Sequence, residues 1–226
     1  MGMTKSSLRK TLISRYLLAI IMLGFFFFLP AGTFNYWHAW IYIGILFIPA
    51  GFVMIYFYRK NPEFLERRMR YREKEVTQQK ILKYSSFIFF IGLLIPGLDF
   101  RFQWSHVPVY VILISDMFIL IAYLFVFYVF KINPYASRTV EVEENHQLIT
   151  FGPYGLVRHP MYTGVILLYL FTPIALGSYW GLIPFLSLPL IIIARIKNEE
   201  KVLKNELSGY EAYCLQTKFR LIPYIW

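Results

Sequence analysis

Apolar positions come in runs of close to twenty along the first 130 residues, and polar residues gather between them. About twenty apolar residues carry one helix across a hydrocarbon core of ~30 Å. Residues 16–32, 37–58, 81–98 and 107–130 therefore predict four membrane spans. Two shorter runs follow, at 161–176 and 179–196, joined by a short turn at Gly177-Ser178. They predict a tight helical pair, which either completes six spans or forms a hairpin that does not fully cross.

Between the spans the pattern changes. After Arg59, Asn61-Pro62-Glu63 reads as an N-cap, a first-turn proline and a first-turn acid. Phe64, Leu65 and Met69 then interrupt a field of Arg and Glu, which suits either a helix lying in the headgroup region or a solvated connector. Between Asn133 and Thr150 the period falls to two. Thr139-Val-Glu-Val142 and Gln147-Leu-Ile-Thr150, with Glu143-Glu-Asn-His146 between them, predict a small β-hairpin. Gly209 is a C′ residue for a helix running out of the last span to about Ser208. The fold expected is an all-α polytopic membrane protein of about six transmembrane helices, with that β-hairpin and a C-terminal helix on the cytoplasmic face. A single integral-membrane domain covers residues 1–226: a four-span part, 1–130, and a core, 131–226.

Composition agrees, since 58% of the 226 residues are hydrophobic and 16% charged, where a soluble domain carries about a quarter charged residues. Charge then orients the chain. Lys5, Arg9, Lys10 and Arg15 precede the first span, eight Lys or Arg lie from Arg59 to Lys80, and six follow from Arg195 onward. The loops of the other face offer only Arg101. The positive-inside rule puts both termini in the cytoplasm. The net charge of +10 is accounted for by this asymmetry and by attraction to anionic membrane lipids, not by nucleic-acid binding. A cleaved signal peptide, mimicked by the basic start and Pro30-Ala31-Gly32, would leave five spans and break the match of span number to charge. The lone Cys214 has no disulfide partner, and His38, His106, His146 and His159 show no metal-ligand spacing.

The chemistry concentrates in Gly152-Pro-Tyr-Gly-Leu-Val-Arg-His-Pro-Met-Tyr-Thr-Gly164. Gly152-Pro153 and Gly155 mark a tight turn. Pro160 opens a helix with His159 as its N-cap, and the helix start offers N–H groups and a positive dipole end to an anion. Gly164, in the first turns with Tyr162, would let a ligand approach the backbone. Alone, this could be a helix start dressed with interfacial aromatics and a basic anchor. The run Arg195-Ile-Lys-Asn-Glu199-Glu200 adds to it: Arg195 and Glu199 share a helix face, and Glu200 lies about 100° further round. Antiparallel packing of the last two helices would bring the carboxylates and the helix start to one pocket. Such a pocket suits a zwitterion with a carboxylate, an ammonium and vicinal hydroxyls.

From about residue 133 to 226 the chain resembles the isoprenylcysteine carboxyl methyltransferase family, which is related to the phospholipid methyltransferases. The resemblance rests on Asn133, Ser137, Val140, Gly152-Pro-Tyr154, Arg158-His-Pro-Met-Tyr162, Gly164, Arg195, Glu199-Glu200, Gly209, Tyr210, Tyr213 and Arg220-Leu-Ile-Pro223. It implies a S-adenosylmethionine-dependent methyltransferase with S-adenosylhomocysteine as product, acting on a lipophilic or lipidated acceptor that enters from the bilayer. Tyr154, Val157, His159, Tyr162, Gly164, Glu199 and Glu200 would contact the cofactor, and Arg195 and Glu199 would face the acceptor as the catalytic pair. Arg158 would serve the cofactor carboxylate or pack against the tail, and residues 209–226 would fold over the pocket. The acceptor is a prenylated cysteine carboxylate, a phospholipid amine, or a small lipophilic thiol or carboxylate. Readings of other classes are a membrane reductase using a nicotinamide cofactor, and a non-enzymatic membrane component. No G-x-G-x-x-G follows a strand pattern, which argues against a soluble dinucleotide-binding fold. Asp116, mid-span, is either a polar contact in an acceptor tunnel or a protonated or hydrogen-bonded aspartate beside Ser115.

Overall fold

The computed structural model describes residues 4–69, 75–136, 139 and 146–226. Their regular structure is helical: α1 (Lys5–Ala31), α2 (Trp37–Lys60), α3 (Pro62–Met69), α4 (Val76–Phe102), α5 (Val109–Ile132), α6 (Pro160–Ala175), α7 (Leu182–Glu206) and α8 (Tyr210–Gln216), with a 3₁₀ turn at Gly152–Gly155. Local chemistry sets the boundaries. Thr4 Oγ1 accepts from Ser7 N at the start of α1, and Gly32 ends that helix in the left-handed region at φ 67°. Asn61 Oδ1 accepts from Phe64 N at 3.1 Å, the N-cap expected ahead of Pro62.

Four helices, α1, α2, α4 and α5, are long and apolar enough to cross a membrane, the architecture of an integral membrane protein. The two further spans expected are not confirmed by α6 and α7. The 16 residues of α6 rise only ~24 Å. The apolar part of α7 ends where Arg195 begins its charged run, so residues 182–194 rise roughly 20 Å before that point. Both are shorter in their apolar part than the four spanning helices. The β-hairpin is not found. Residues 146–150 have no regular structure, and no strand occurs among the described residues. The turn and most of the other arm, residues 140–145, lie outside the described residues.

Helix α1 packs on α4 and α2, α5 on α2 and α6, and α7 on α4 and α6. Phe27, Tyr36, Tyr42, Leu93, Ile119, Phe185 and Leu188 form the central core. Close crossings need small residues, as membrane helices use them. A Cβ on Gly97 would meet Phe27 O at 2.7 Å, so α1 and α4 touch through backbone. At one end of the bundle Asp99 is buried and accepts from Ser105 N and Ser105 Oγ, both at 2.7 Å, and from Ser178 Oγ. This staple ties the α4–α5 loop to the α6–α7 turn. The other end is basic. There α3 buries Phe64 and Leu65 against Phe57 and Phe130, which makes it a packed helix that carries Arg67 and Arg68 beside the start of the core.

Candidate functional site at the basic end of the bundle

The 3₁₀ turn positions the motif. Gly152 sits at φ 63°, and a Cβ there would strike Ile132 Cδ1 at 2.8 Å, so the chain turns tightly against the end of α5. Tyr154 Oη accepts from Asn133 Nδ2 at 2.8 Å, and Tyr154 O accepts from Tyr213 Oη at 2.7 Å. Burial first, with Glu199 nearby, pushes the Tyr154 hydroxyl up to about 12 even though Asn133 opposes the shift.

Arg158 is held by hydrogen bonds within the protein. Its Nε donates to Glu200 Oε1 at 2.7 Å, and its Nη1 donates to Thr217 O at 2.9 Å and Lys218 O at 3.2 Å. Arg158 thus packs against the tail, and it also borders the cavity described below. Arg220 Nε donates to Glu200 Oε2 at 2.9 Å, and His159 Nε2 lies 3.3 Å from Glu200 Oε1. Burial alone would raise Glu200, but these three partners outweigh it and hold the carboxyl at about 2. The tail segment completes the knot: Arg158 N donates to Phe219 O and His159 N to Arg220 O, both at 2.9 Å. These two N–H groups, just ahead of α6, are satisfied by tail carbonyls.

The neighbouring carboxylate behaves differently. Glu199 is about a fifth exposed, and its Oε2 accepts from Tyr162 Oη at 2.8 Å, while Tyr162 Oη accepts from Arg195 Nε at 2.7 Å. Gln78 Nε2 donates to Arg195 O at 3.1 Å and holds this turn of α7 against α4. Arg195, Tyr162 and Glu199 thus form one line of side chains on adjoining faces of α6 and α7.

That line separates two cavities. One, of about 820 Å³ counted to its open mouth, is bordered by Arg158, His159, Tyr162, Arg195 and Glu199 on the motif side, and by Tyr135, His146, Tyr154, Tyr210 and Tyr213 on the others. Tyr135 and His146 stack at 4.5 Å in its wall. The other, of about 730 Å³, lies between α4, α6 and α7 and is mostly apolar, with Ile81, Val165, Leu188 and Ile192 in its lining. Met161, Tyr162 and Arg195 belong to both.

Three of the anticipated positions lie behind the cavity wall. Glu200 is held by its ion pairs, Val157 is buried under the turn, and Gly164 faces α5, where a Cβ would come within 2.5 Å of Val126 Cγ2. Ser137 and Val140 lie outside the described residues. Asp116 is buried in α5, and neither carboxyl oxygen has a hydrogen-bond partner among the described residues. Ser115 Oγ donates to Val111 O instead, and Asp116 lines neither cavity. Tyr135 and His146 were not anticipated as site residues, since an aromatic residue in a loop carries no positional signal of its own; Tyr210 belongs to the tail that was expected to fold over the pocket. Among the described residues no group of three His, Cys, Asp or Glu side chains would hold a metal ion.

A bundle of apolar helices, four of them long enough to span a bilayer, with a polar and an apolar cavity adjoining at the start of α6, defines an integral membrane protein. Residues 111–205 match the model of the isoprenylcysteine carboxyl methyltransferase (ICMT) family. The match covers less than half of the chain, begins inside α5 and ends before α8. The chain is also similar to the Delta(14)-sterol reductase TM7SF2 of Mus musculus, 26% identical over 94 residues, which is 39% of this chain and 22% of that protein. The chain therefore spans about a fifth of the length of that curated relative.

Proposed function

We propose that this protein is an integral-membrane methyltransferase that uses S-adenosylmethionine and acts on a lipophilic acceptor arriving from the bilayer. The observation that carries the reading is the meeting of a polar cavity and an apolar one at Met161, Tyr162 and Arg195. A donor and a lipid-soluble acceptor need two such chambers with one shared wall. The exposed edge of Glu199 suits a ligand bearing an ammonium and a sulfonium, and the buried Tyr210 hydroxyl has no partner among the described residues.

S-adenosylmethionine, when bound, supplies an electrophilic methyl group on a sulfonium. The chain's own contribution is positioning and electrostatics. Tyr162, gripped by Arg195 and Glu199, fixes the geometry of the wall between the chambers. Arg195 faces the acceptor chamber and orients its polar head. For a thiol or amine acceptor, Glu199 is the carboxylate placed to take the proton through Tyr162, whereas a carboxylate acceptor needs no base. The apolar groove between α4, α6 and α7 would take the acceptor's chain directly from lipid. Among acceptors the family match favours an isoprenylcysteine-like carboxylate, with a phospholipid amine or a small lipophilic thiol as alternatives. With the positive-inside rule, the basic end and both termini lie in the cytoplasm.

The similarity to a sterol reductase supports a second reading, a membrane reductase with a nicotinamide cofactor. Its phosphates would call for open guanidinium groups, yet Arg158 is bound to Glu200 and the tail, and Arg195 to Tyr162. Thermal-shift measurements on the purified chain separate the two. At 100 times its dissociation constant a ligand stabilises by ~2.7 kcal/mol. S-adenosylhomocysteine is expected to raise the melting temperature and NADPH to leave it unchanged; the reverse result would replace the methyltransferase by the reductase.

A further inference from the structure

Buried polar atoms in native structures are almost always hydrogen-bonded, so an exception inside a binding site calls for a reason. Tyr210 is such an exception. Its side chain is 3% exposed, it lines the polar cavity, and its hydroxyl has no partner among the described residues. Buried polar atoms without a partner also occur on His38, Gln78 and Asp116, but those residues do not line this cavity. The neighbouring Tyr213 shows the contrast. It packs against Tyr210 with ring centroids 5.8 Å apart, yet its hydroxyl donates to Tyr154 O. One tyrosine of the tail is therefore used to hold the fold together, and the other lines the site with a hydroxyl that has no partner among the described residues.

Its surroundings state what it would meet. Burial and then the charges of Glu200, Cys214 and Glu199 raise Tyr210, with Arg158 opposing them, so the group stays a neutral phenol. Glu199, on the wall of the same cavity, favours a ligand group that donates hydrogen bonds over one that accepts them. Helix α8 delivers the residue: Gly209, at φ 81°, turns the chain after α7, and Tyr210 N donates to Leu207 O at 3.2 Å. Ring packing with Leu207 and Tyr213 fixes the phenol independently of its hydroxyl.

Resting on the cofactor reading above, we infer that Tyr210 is a ligand-binding residue whose hydroxyl accepts a hydrogen bond from the ammonium of the cofactor's amino-acid end. The tail would then complete the cofactor site, although the family match stops at residue 205, before Tyr210.

Titration calorimetry on the full chain in detergent tests this with two probes, S-adenosylhomocysteine and 5′-methylthioadenosine, which lacks the amino-acid end. Tyr210→Phe should weaken S-adenosylhomocysteine by about five- to tenfold, the loss of one hydrogen bond to a buried group, and leave methylthioadenosine unchanged. Without ligand, Tyr210→Phe should keep the wild-type melting temperature, because no bond is lost, whereas Tyr213→Phe should lower it. Equal affinity of wild type and Tyr210→Phe for S-adenosylhomocysteine would overturn the inference alone. So would an equal loss for both probes, or a ligand-free destabilisation matching that of Tyr213→Phe. Failure of the wild type to bind either probe would overturn the cofactor reading and the inference with it.

Discussion

At the scale of single residues, Glu199 and Glu200 show how one step along a helix separates two jobs. Glu200 faces inward to Arg158, Arg220 and His159, and Glu199 faces the cavity. A buried carboxylate with such partners stabilises the folded state by being charged. Its carboxyl sits at about 2 when folded, below the ordinary 4.5. Its contribution is therefore complete above about pH 5 and drains away as pH falls from 4.5 toward 2, an amount on the order of 3 kcal/mol. The same logic makes Glu200→Gln harmful at neutral pH, because Arg158 would stay buried without a counter-charge. Limited proteolysis should then cut the tail after Gln216 at neutral pH in Glu200→Gln, and in the wild type only near pH 3. An uncut Glu200→Gln tail would mean that the backbone bonds of Arg158 and His159 suffice. Tyr162→Phe is the complementary change. It removes the hydroxyl joining Arg195 to Glu199 and should lower methyl-transfer turnover by roughly tenfold or more with the tail still protected; full turnover would remove Tyr162 from the mechanism.

These residue pairs were partly legible beforehand. Arg195 and Glu199, four apart, had to share a face, and the Arg158-His159-Pro160 start had to approach them once the last two helices ran antiparallel. The partner of Arg158 was not legible, because both a cofactor carboxylate and the tail would satisfy a guanidinium, and the choice depends on carbonyls at Thr217 and Lys218 that no side-chain pattern reveals.

At the scale of elements, hydropathy located the helices well because the membrane imposes one length on all of them. It did not show which helices touch. Lipid is as apolar as leucine, so a lipid-facing and a helix-facing position look alike in sequence. Gly164 illustrates this: it reads as room for a ligand, yet it is the contact that seats α6 on α5. Gly164→Ala should cost about 1–3 kcal/mol by overpacking, seen as a lower melting temperature, and Val126→Ala should recover much of it by removing the atom 2.5 Å away. A neutral Gly164→Ala would show that α5 and α6 slide freely, and would argue against a rigid wall at Tyr162. No strand is found at the described arm of the expected β-hairpin, for a related reason. Period-two alternation over four residues at Gln147–Thr150 also suits an irregular segment that lays Leu148 and Ile149 on a cavity wall.

At the scale of the molecule, the four N-terminal helices and the core perform distinct tasks that meet in one place. Helices α1, α2, α4 and α5 supply the apolar frame, and the Asp99 staple fixes the remote turn of α6 and α7. The core brings the motif, the glutamate pair and the tail to the basic end. The most direct test of the central claim is transfer of labelled methyl from S-adenosylmethionine in native-source membranes holding the wild type, with Arg195→Ala as the blank and label sorted into lipid, protein and volatile fractions. The account predicts label above the blank in a lipid or lipidated fraction. Label no higher than the blank in every fraction, from membranes in which the chain is folded and binds S-adenosylhomocysteine, would contradict it.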